Sequence, residues 1–580
     1  MSPARTRLLA AGVTFSAGTL LLAGCSGSSG TSSASKDSID YALPANFTPN
    51  WILPIGTAAH LNTNNISIAN TLWEPLIAYD GSTGKIGWNK AGSIATAADF
   101  AADNKSVRIT LGDRHWSDGK PITSEDVKFW FDLIKANKAQ WAGYNPGKAP
   151  DNWTSFKVQD ARHFTIAFDK AYNPQWMLAN ELNSINPLPQ HVWDKGDPGQ
   201  TWTYLNNAAK NIGGYASNPL WRTISGPYSV KSFSTAGKVV LTANKKYDGG
   251  EKPGISTVNL LPFTTTDAEK NALRSGTVDY GYIEPTDLDQ KASFTGQGYE
   301  VKPWSGWAIT YMPYNFNNPS MGAVFKQLYA RQAVQRSIDQ TSLAKVVFNG
   351  TAIPGYGPVP QGQASDFVSP AQKGNPYPFS TSAAKSLLTS HGWAEQGGVM
   401  TCTEPTKCGD GVAKGTKFEM TVLSQSGSTV TDNMMSAIQS SLAKTGIKFS
   451  IRTAPVNSVL SQTPPCTASQ SICKWQLSFF GTAGSWYFNA FPTGDSLFQT
   501  KGGSNFGSYS NPDVDKLITA STTSSSNQAV QDYSAALAKD LPVIWLPEPD
   551  YQISVIKKGL GGFSQDSLAN FHPAQWKWTS

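Results

Sequence analysis

From Tyr41 to the end of this 580-residue chain, no stretch has the composition of a flexible linker. A chain of that length is long enough for two or more domains with large cores. Without linkers, those domains must be interleaved or tightly docked. Ser26–Ser38 is different. It is almost entirely Ser, Gly, Thr and Ala and reads as a tether. Local patterns give an α/β alternation without a regular βαβ rhythm. Val107–Leu111 alternates like a half-buried strand. Asp118-Gly119 is a turn, and Thr123 with Asp126 forms a capping-box variant ahead of Val127, Trp130, Phe131 and Ile134 at helical spacing. A strand at Phe418–Val422, a helix over Met434–Leu442 ending at Gly446, and a strand at Ile447–Ile451 read as one βαβ unit. Further helices are predicted from Pro512, after Asn511, and from Asp339 as N-cap to Asn349-Gly350.

The N-terminus carries the marks of export. Arg5 and Arg7 precede an apolar stretch from Leu8 to Gly24, closed by small residues before Cys25. The stretch is at the lower edge of a bilayer span and has no stop-transfer flank. Leu22-Ala23-Gly24-Cys25 resembles a bacterial lipobox, which would make residues 1–24 a signal peptide and Cys25 the acylated anchor. An ordinary signal with a chance cysteine is the alternative. The other four cysteines fall as Cys402 with Cys408 and Cys466 with Cys473, among Thr, Pro, Ser and Gly. Two local disulfides in an oxidising compartment are expected. A zinc site is less supported, since no histidine lies beside either pair.

Charge excludes little beyond nucleic acid. The formal net charge is +6; removing Arg5 and Arg7 with the acid-free first 24 residues leaves 6 − 2 = +4, spread without a basic stripe. Catalytic motifs are also missing: six scattered histidines, no Gly-x-Ser-x-Gly elbow, no phosphate loop and no dinucleotide fingerprint. No cofactor or metal site is expected. The 19 Trp, 20 Tyr and 26 Phe are mostly core by expectation, with the remainder available to line a wide pocket.

The order of segments resembles the family-5 extracellular solute-binding proteins, the peptide receptors of ABC importers. The blocks that carry the resemblance are Leu72–Ile77 (LWEPLI), Trp116–Val127 (WSDGKPITSEDV), Pro187–Trp193 (PLPQHVW), Gly226–Tyr228 and Ser275–Asp279. Arg331–Asp339 (RQAVQRSID), Gly446–Lys448 and Tyr509–Asp515 (YSNPDVD) complete the series. The resemblance implies an α/β, two-lobed periplasmic-binding-protein-like fold of the large peptide-receptor class (type II), with an extra subdomain in the first lobe. Residues 41–88, 190–303 and 542–580 would form lobe I, 89–189 the inserted subdomain, and 304–541 lobe II. It implies a binder, not an enzyme: a monomer, held to the membrane by Cys25, that closes on a peptide or peptide-like solute and delivers it to permease subunits. By position in the matched blocks, Asn65, Trp307, Thr482, Trp486 and Asn505 are the expected cleft contacts. Asp118, Asp126 and Asp339 read as scaffold. One departure stands out. Family members that bind peptides usually carry an acid that pairs with the ligand's amino terminus. In Phe479–Tyr487 the equivalent place is Thr482, and no carboxylate follows until Asp495. An oligosaccharide or other non-peptide solute is therefore the second reading, and a surface-anchored hydrolase a remote third.

Overall fold

The computed structural model describes residues 37–45, 48–60, 62–82, 85–363, 365–481, 484–563 and 565–579. Cys25 and Thr482 lie outside the described residues.

An eight-stranded mixed sheet gathers segments from across the chain. Its order is Tyr299–Ser305, Glu548–Lys557, Tyr280–Ile283, Ser38–Ala42, Thr257–Leu261, Val239–Ala243 and Tyr228–Phe233, with Ala352–Ile353 paired to one end of Glu548–Lys557. Ser38–Ala42 runs parallel to both neighbours; the other pairings are antiparallel. The first strand starts at Ser38, three residues ahead of the expected start at Tyr41, because pairing with Thr257–Leu261 uses main-chain groups and needs no apolar side chain.

Two strands leave this sheet for a second region. Tyr299–Ser305 passes through Gly306-Trp307 into Ala308–Pro313, and Val543–Leu546 passes through Pro547 into Glu548–Lys557. Ala308–Pro313 and Val543–Leu546 are themselves antiparallel partners. Beyond them lies the predicted βαβ unit. Strands Glu419–Gln425 and Lys448–Ala454 run parallel, joined by the helix Thr429–Ala443, and Leu477–Phe479 is parallel on the other edge.

A separate four-stranded antiparallel sheet is built from residues 95–168. The helix Ser124–Asn137 covers it, with Phe131 stacked on Trp153 and Phe156. Its N-terminal acid does more than cap. The Asp126 carboxylate accepts from the backbone N–H groups of Thr123 at 2.8 Å and Gln190 at 3.1 Å, and from the Trp116 indole at 3.4 Å. Asp118 accepts from the His191 ring at 2.6 Å. The Trp116–Val127 and Pro187–Trp193 blocks therefore meet through their polar residues. Asp339 caps as expected, its Oδ1 accepting from Ser342 N at 3.0 Å. That helical stretch ends where Asn349 (φ 49°) and Gly350 (φ 78°) turn left-handed. Cys402–Cys408 and Cys466–Cys473 are disulfides, with Cα atoms 6.2 and 5.4 Å apart. Among the described residues, no helix is long and apolar enough to cross a membrane.

Candidate functional site

Three adjoining cavities of about 40, 300 and 510 Å³ make one cleft. The first and second share Thr63, Ser67 and the Ala569–His572 segment; the second and third share Tyr79 and Ala490. One wall comes from the helix Thr63–Leu72, from Tyr79 and from the C-terminal run Leu568–Ala574. The facing wall comes from Trp307, Gln363, Phe367 and the Tyr487–Phe491 segment. The walls are thus supplied by the two regions that the crossing strands connect.

The expected contacts are distributed unevenly around this cleft. Trp307 lines the largest cavity, but its indole N–H already donates to the Asn489 carbonyl at 3.0 Å, so it offers a ring rather than a donor. Trp486 is half-buried and pairs with Ile309; the four residues that follow it line the second cavity. Asn65 sits on the cleft-lining helix with its amide consumed by the fold. Its oxygen accepts from Asn50 N at 2.8 Å and Trp51 N at 3.1 Å, and its nitrogen donates to the His60 carbonyl at 2.8 Å. Its neighbours Ile66, Ser67 and Asn70 face the cavity instead. Asn505 is buried, and its amide bonds Gln499 O and both backbone groups of Tyr509, closing its own loop. It lines none of the three cavities.

Sequence reasoning missed the C-terminal segment, Tyr79, Tyr247 and the Tyr280/Tyr282 pair. The last had a readable signal: residues two apart on a strand face the same side.

Two polar networks fix the cleft walls. Glu74, in the Leu72–Ile77 block, is buried against the second cavity. Its carboxylate takes hydrogen bonds from the Arg114 guanidinium and the Tyr247 hydroxyl. Arg114 Nε also donates to Asp248 at 2.9 Å, and Asp248 holds His115 at 2.9 Å. Burial pushes the Glu74 carboxyl above the usual carboxylate range, and the Arg114 charge works against that rise.

The second network centres on Asp566, which is wholly buried. Oδ1 accepts from Gly81 N at 2.8 Å and Leu568 N at 2.9 Å; Oδ2 accepts from Asn570 Nδ2 at 2.7 Å and His572 Nε2 at 3.1 Å. Burial disfavours a charge on His572. The hydrogen bond to Asp566 and the charges of Asp566, Asp80 and Glu251 outweigh it and raise the imidazole above its ordinary value. Asp80, Asp566 and His572 bring their ligand atoms within 4.8 Å of one another, the kind of set that could hold a metal ion. Here all four lone-pair directions of Asp566 are already used to tie down the C-terminal segment.

Residues 91–505 match the model of the bacterial extracellular solute-binding proteins, family 5. The chain belongs to that family. Its members are binders rather than enzymes, and they are extracytoplasmic. A putative ABC transporter peptide-binding protein of Brucella ovis is 25% identical over 388 residues, which is 66% of this chain and 63% of the relative's length. The oligopeptide-binding protein AppA of Bacillus subtilis is 23% identical over 462 residues, 77% of this chain and 76% of AppA. The structure of AppA in complex with a nonapeptide superposes with a TM-score of 0.75 at 18% identity, covering 94% of this chain and all of that one (100%). A periplasmic oligopeptide-binding protein of Thermotoga maritima with bound mannohexaose gives 0.70 at 18% identity, with 91% and 93% covered. The two-lobed α/β fold that the sequence implied is the fold of these proteins.

Proposed function

We propose that the protein captures a peptide or peptide-like solute in the cleft described above and delivers it to the permease of an ABC importer. The observation that carries this is one continuous cleft between two regions joined by two strand crossings, in a chain of the solute-binding family. Relatives named as peptide-binding, and a nonapeptide in the AppA complex, support peptide as the class. Mannohexaose in the Thermotoga neighbour, together with the aromatic lining, supports an oligosaccharide as the second reading. Native mass spectrometry of protein purified from its own host separates them. A ladder of peptide masses is expected; a hexose series would reverse the assignment.

The mechanism we infer is hinge closure, with 41–88, 190–303 and 542–580 as one lobe, 89–189 inserted in it, and 304–541 as the other. Contacts that would hold these units shut support it. Asn173 N donates to Thr522 O at 3.0 Å, and its side chain donates to Ser524 O at 2.7 Å. Asn180 Nδ2 donates to Phe491 O at 3.1 Å, and Lys148 lies 3.3 Å from Asp495. The double variant Asn173→Ala/Lys148→Ala is expected to increase the radius of gyration of solute-free protein in small-angle scattering. An unchanged scattering curve would argue against these contacts as the closure.

In the same reading the monomer is held at the membrane by acylated Cys25. Cys25→Ser should leave the protein unprocessed or release it to the medium, read by fractionation and intact mass. A processed Cys25→Ser protein still in the membrane fraction would refute the anchor.

A further inference from the structure

The smallest cavity is an aromatic recess opening into the 300 Å³ cavity beside Thr63, Ser67 and His572. Tyr41, Tyr280, Tyr282, Trp304, Tyr551 and Trp576 line it. Some of the rings meet edge to face, Tyr41 on Tyr280 at 5.1 Å and 80° and Trp304 on Tyr551 at 4.7 Å and 72°, while Tyr41 and Trp576 are tilted by 33°. The lining therefore combines aromatic ring surface with hydroxyl oxygens. Tyr41 and Tyr282 share one hydrogen bond, and Tyr280 lies 3.4 Å from Ser554 Oγ. A phenol oxygen carries two lone pairs, so acceptor capacity remains after such bonds.

We propose that this recess is an ammonium-recognition subsite, taking a primary or methylated ammonium group of a solute held in the larger cavity. Three observations lead there. The first is size. At about 40 Å³ the recess has room for a few water-sized groups, each needing roughly 10–15 Å³, so a small ammonium group fits. The second is chemistry: aromatic faces attract a cation within about 6 Å of the ring centre, and the phenol oxygens accept its N–H groups. A neutral methyl group would use only the dispersion part of that surface. The third is charge. The lining holds no Asp, Glu, Lys or Arg, and its one histidine is hydrogen-bonded to Asp566 with Asp80 close by. The carboxylates of Asp566 and Asp80 beside that imidazole disfavour an anion at the mouth of the recess.

The inference rests on the solute-binding reading above, and the two are separable by experiment. Protein labelled with 5-fluorotryptophan is titrated with methylammonium chloride, methanol and sodium chloride. Trp304 and Trp576 resonances are assigned by Trp→Phe replacement. Methylammonium is expected to shift these two resonances saturably, with a half-saturation at least tenfold below that of methanol, and sodium chloride should not shift them. Tyr551→Leu should lose at least tenfold in methylammonium affinity while Tyr551→Phe retains it. Equal response to methanol, no saturable response, or an unaffected Tyr551→Leu protein would overturn the subsite. In parallel, free and amine-acetylated pentapeptide pools are offered and captured peptides read by native mass spectrometry. Capture of both pools alike defeats the subsite and leaves the peptide reading intact. A methylammonium response with no peptide captured does the reverse.

Discussion

Arg114→Met is expected to lower the unfolding free energy by about 3–5 kcal/mol, the usual consequence of removing one partner from a buried ion pair. The methionine fills much of the stem's volume, so the loss is chiefly electrostatic. Glu74, buried against the second cavity, keeps the Tyr247 hydroxyl but loses its counter-charge, while Asp248 loses a donor and keeps His115. The variant can limit the damage by protonating Glu74, whose carboxyl burial already raises. That gives the effect a pH signature. A carboxyl with a folded value above its unfolded one binds its proton more tightly in the native state, so its stability falls as pH rises between the two values. The melting deficit of Arg114→Met should therefore be smaller at pH 5 than at pH 8. Glu74→Gln in the same chain should recover part of the loss at pH 8, since it replaces the unpaired carboxylate by a neutral amide. A deficit independent of pH, or no recovery in the double variant, would mean that packing rather than charge holds this wall. Scanning calorimetry of the three proteins at both pH values decides it.

The contrast between Glu74 and Asn65 explains how far the sequence could be read. Capping boxes, the βαβ unit and the Asn349-Gly350 stop were legible because each depends on residues a few positions apart. Asp126 shows the limit of that. Its cap to Thr123 was readable, but its bond to Gln190, 64 residues on, was visible only once the chain had folded. The two disulfides were equally local. The cleft is the opposite case. It joins Thr63 with His572 and Tyr79 with Ala490, and no spacing rule reaches across such distances. Within one helix the ambiguity persists: Asn65 and Asn70 are both asparagines on the same turn-bearing segment. Only the path of the loop through Asn50–His60 decides that the first is spent on backbone and the second faces the cavity. Trp307, expected from the family's order of segments because it sits where the chain crosses between regions, lines the largest of the three cavities.

Asp566→Ala should be the most damaging single change in the C-terminal segment, costing about 3–5 kcal/mol, because four donors lose a charged acceptor at once. The consequence reaches function, since the Leu568–Ala574 segment that Asp566 anchors forms part of both smaller cavities. A solute affinity measured on this variant should therefore fall even where the protein remains folded. His572 supplies the milder and more diagnostic change. Its imidazole is raised in the native state by Asp566 and its neighbouring acids. A base of this kind stabilises fully below its unfolded value, about 6.5, and the contribution disappears as pH climbs through the folded value. The stability advantage of wild type over His572→Gln should thus be largest near pH 6 and shrink towards alkaline pH. Asp566→Asn should flatten that dependence, because the amide removes the charge that raises the imidazole while keeping an acceptor for Gly81. An advantage that instead grew with pH would mean the imidazole is held neutral, and the anchor would then be a plain hydrogen bond rather than an ion pair.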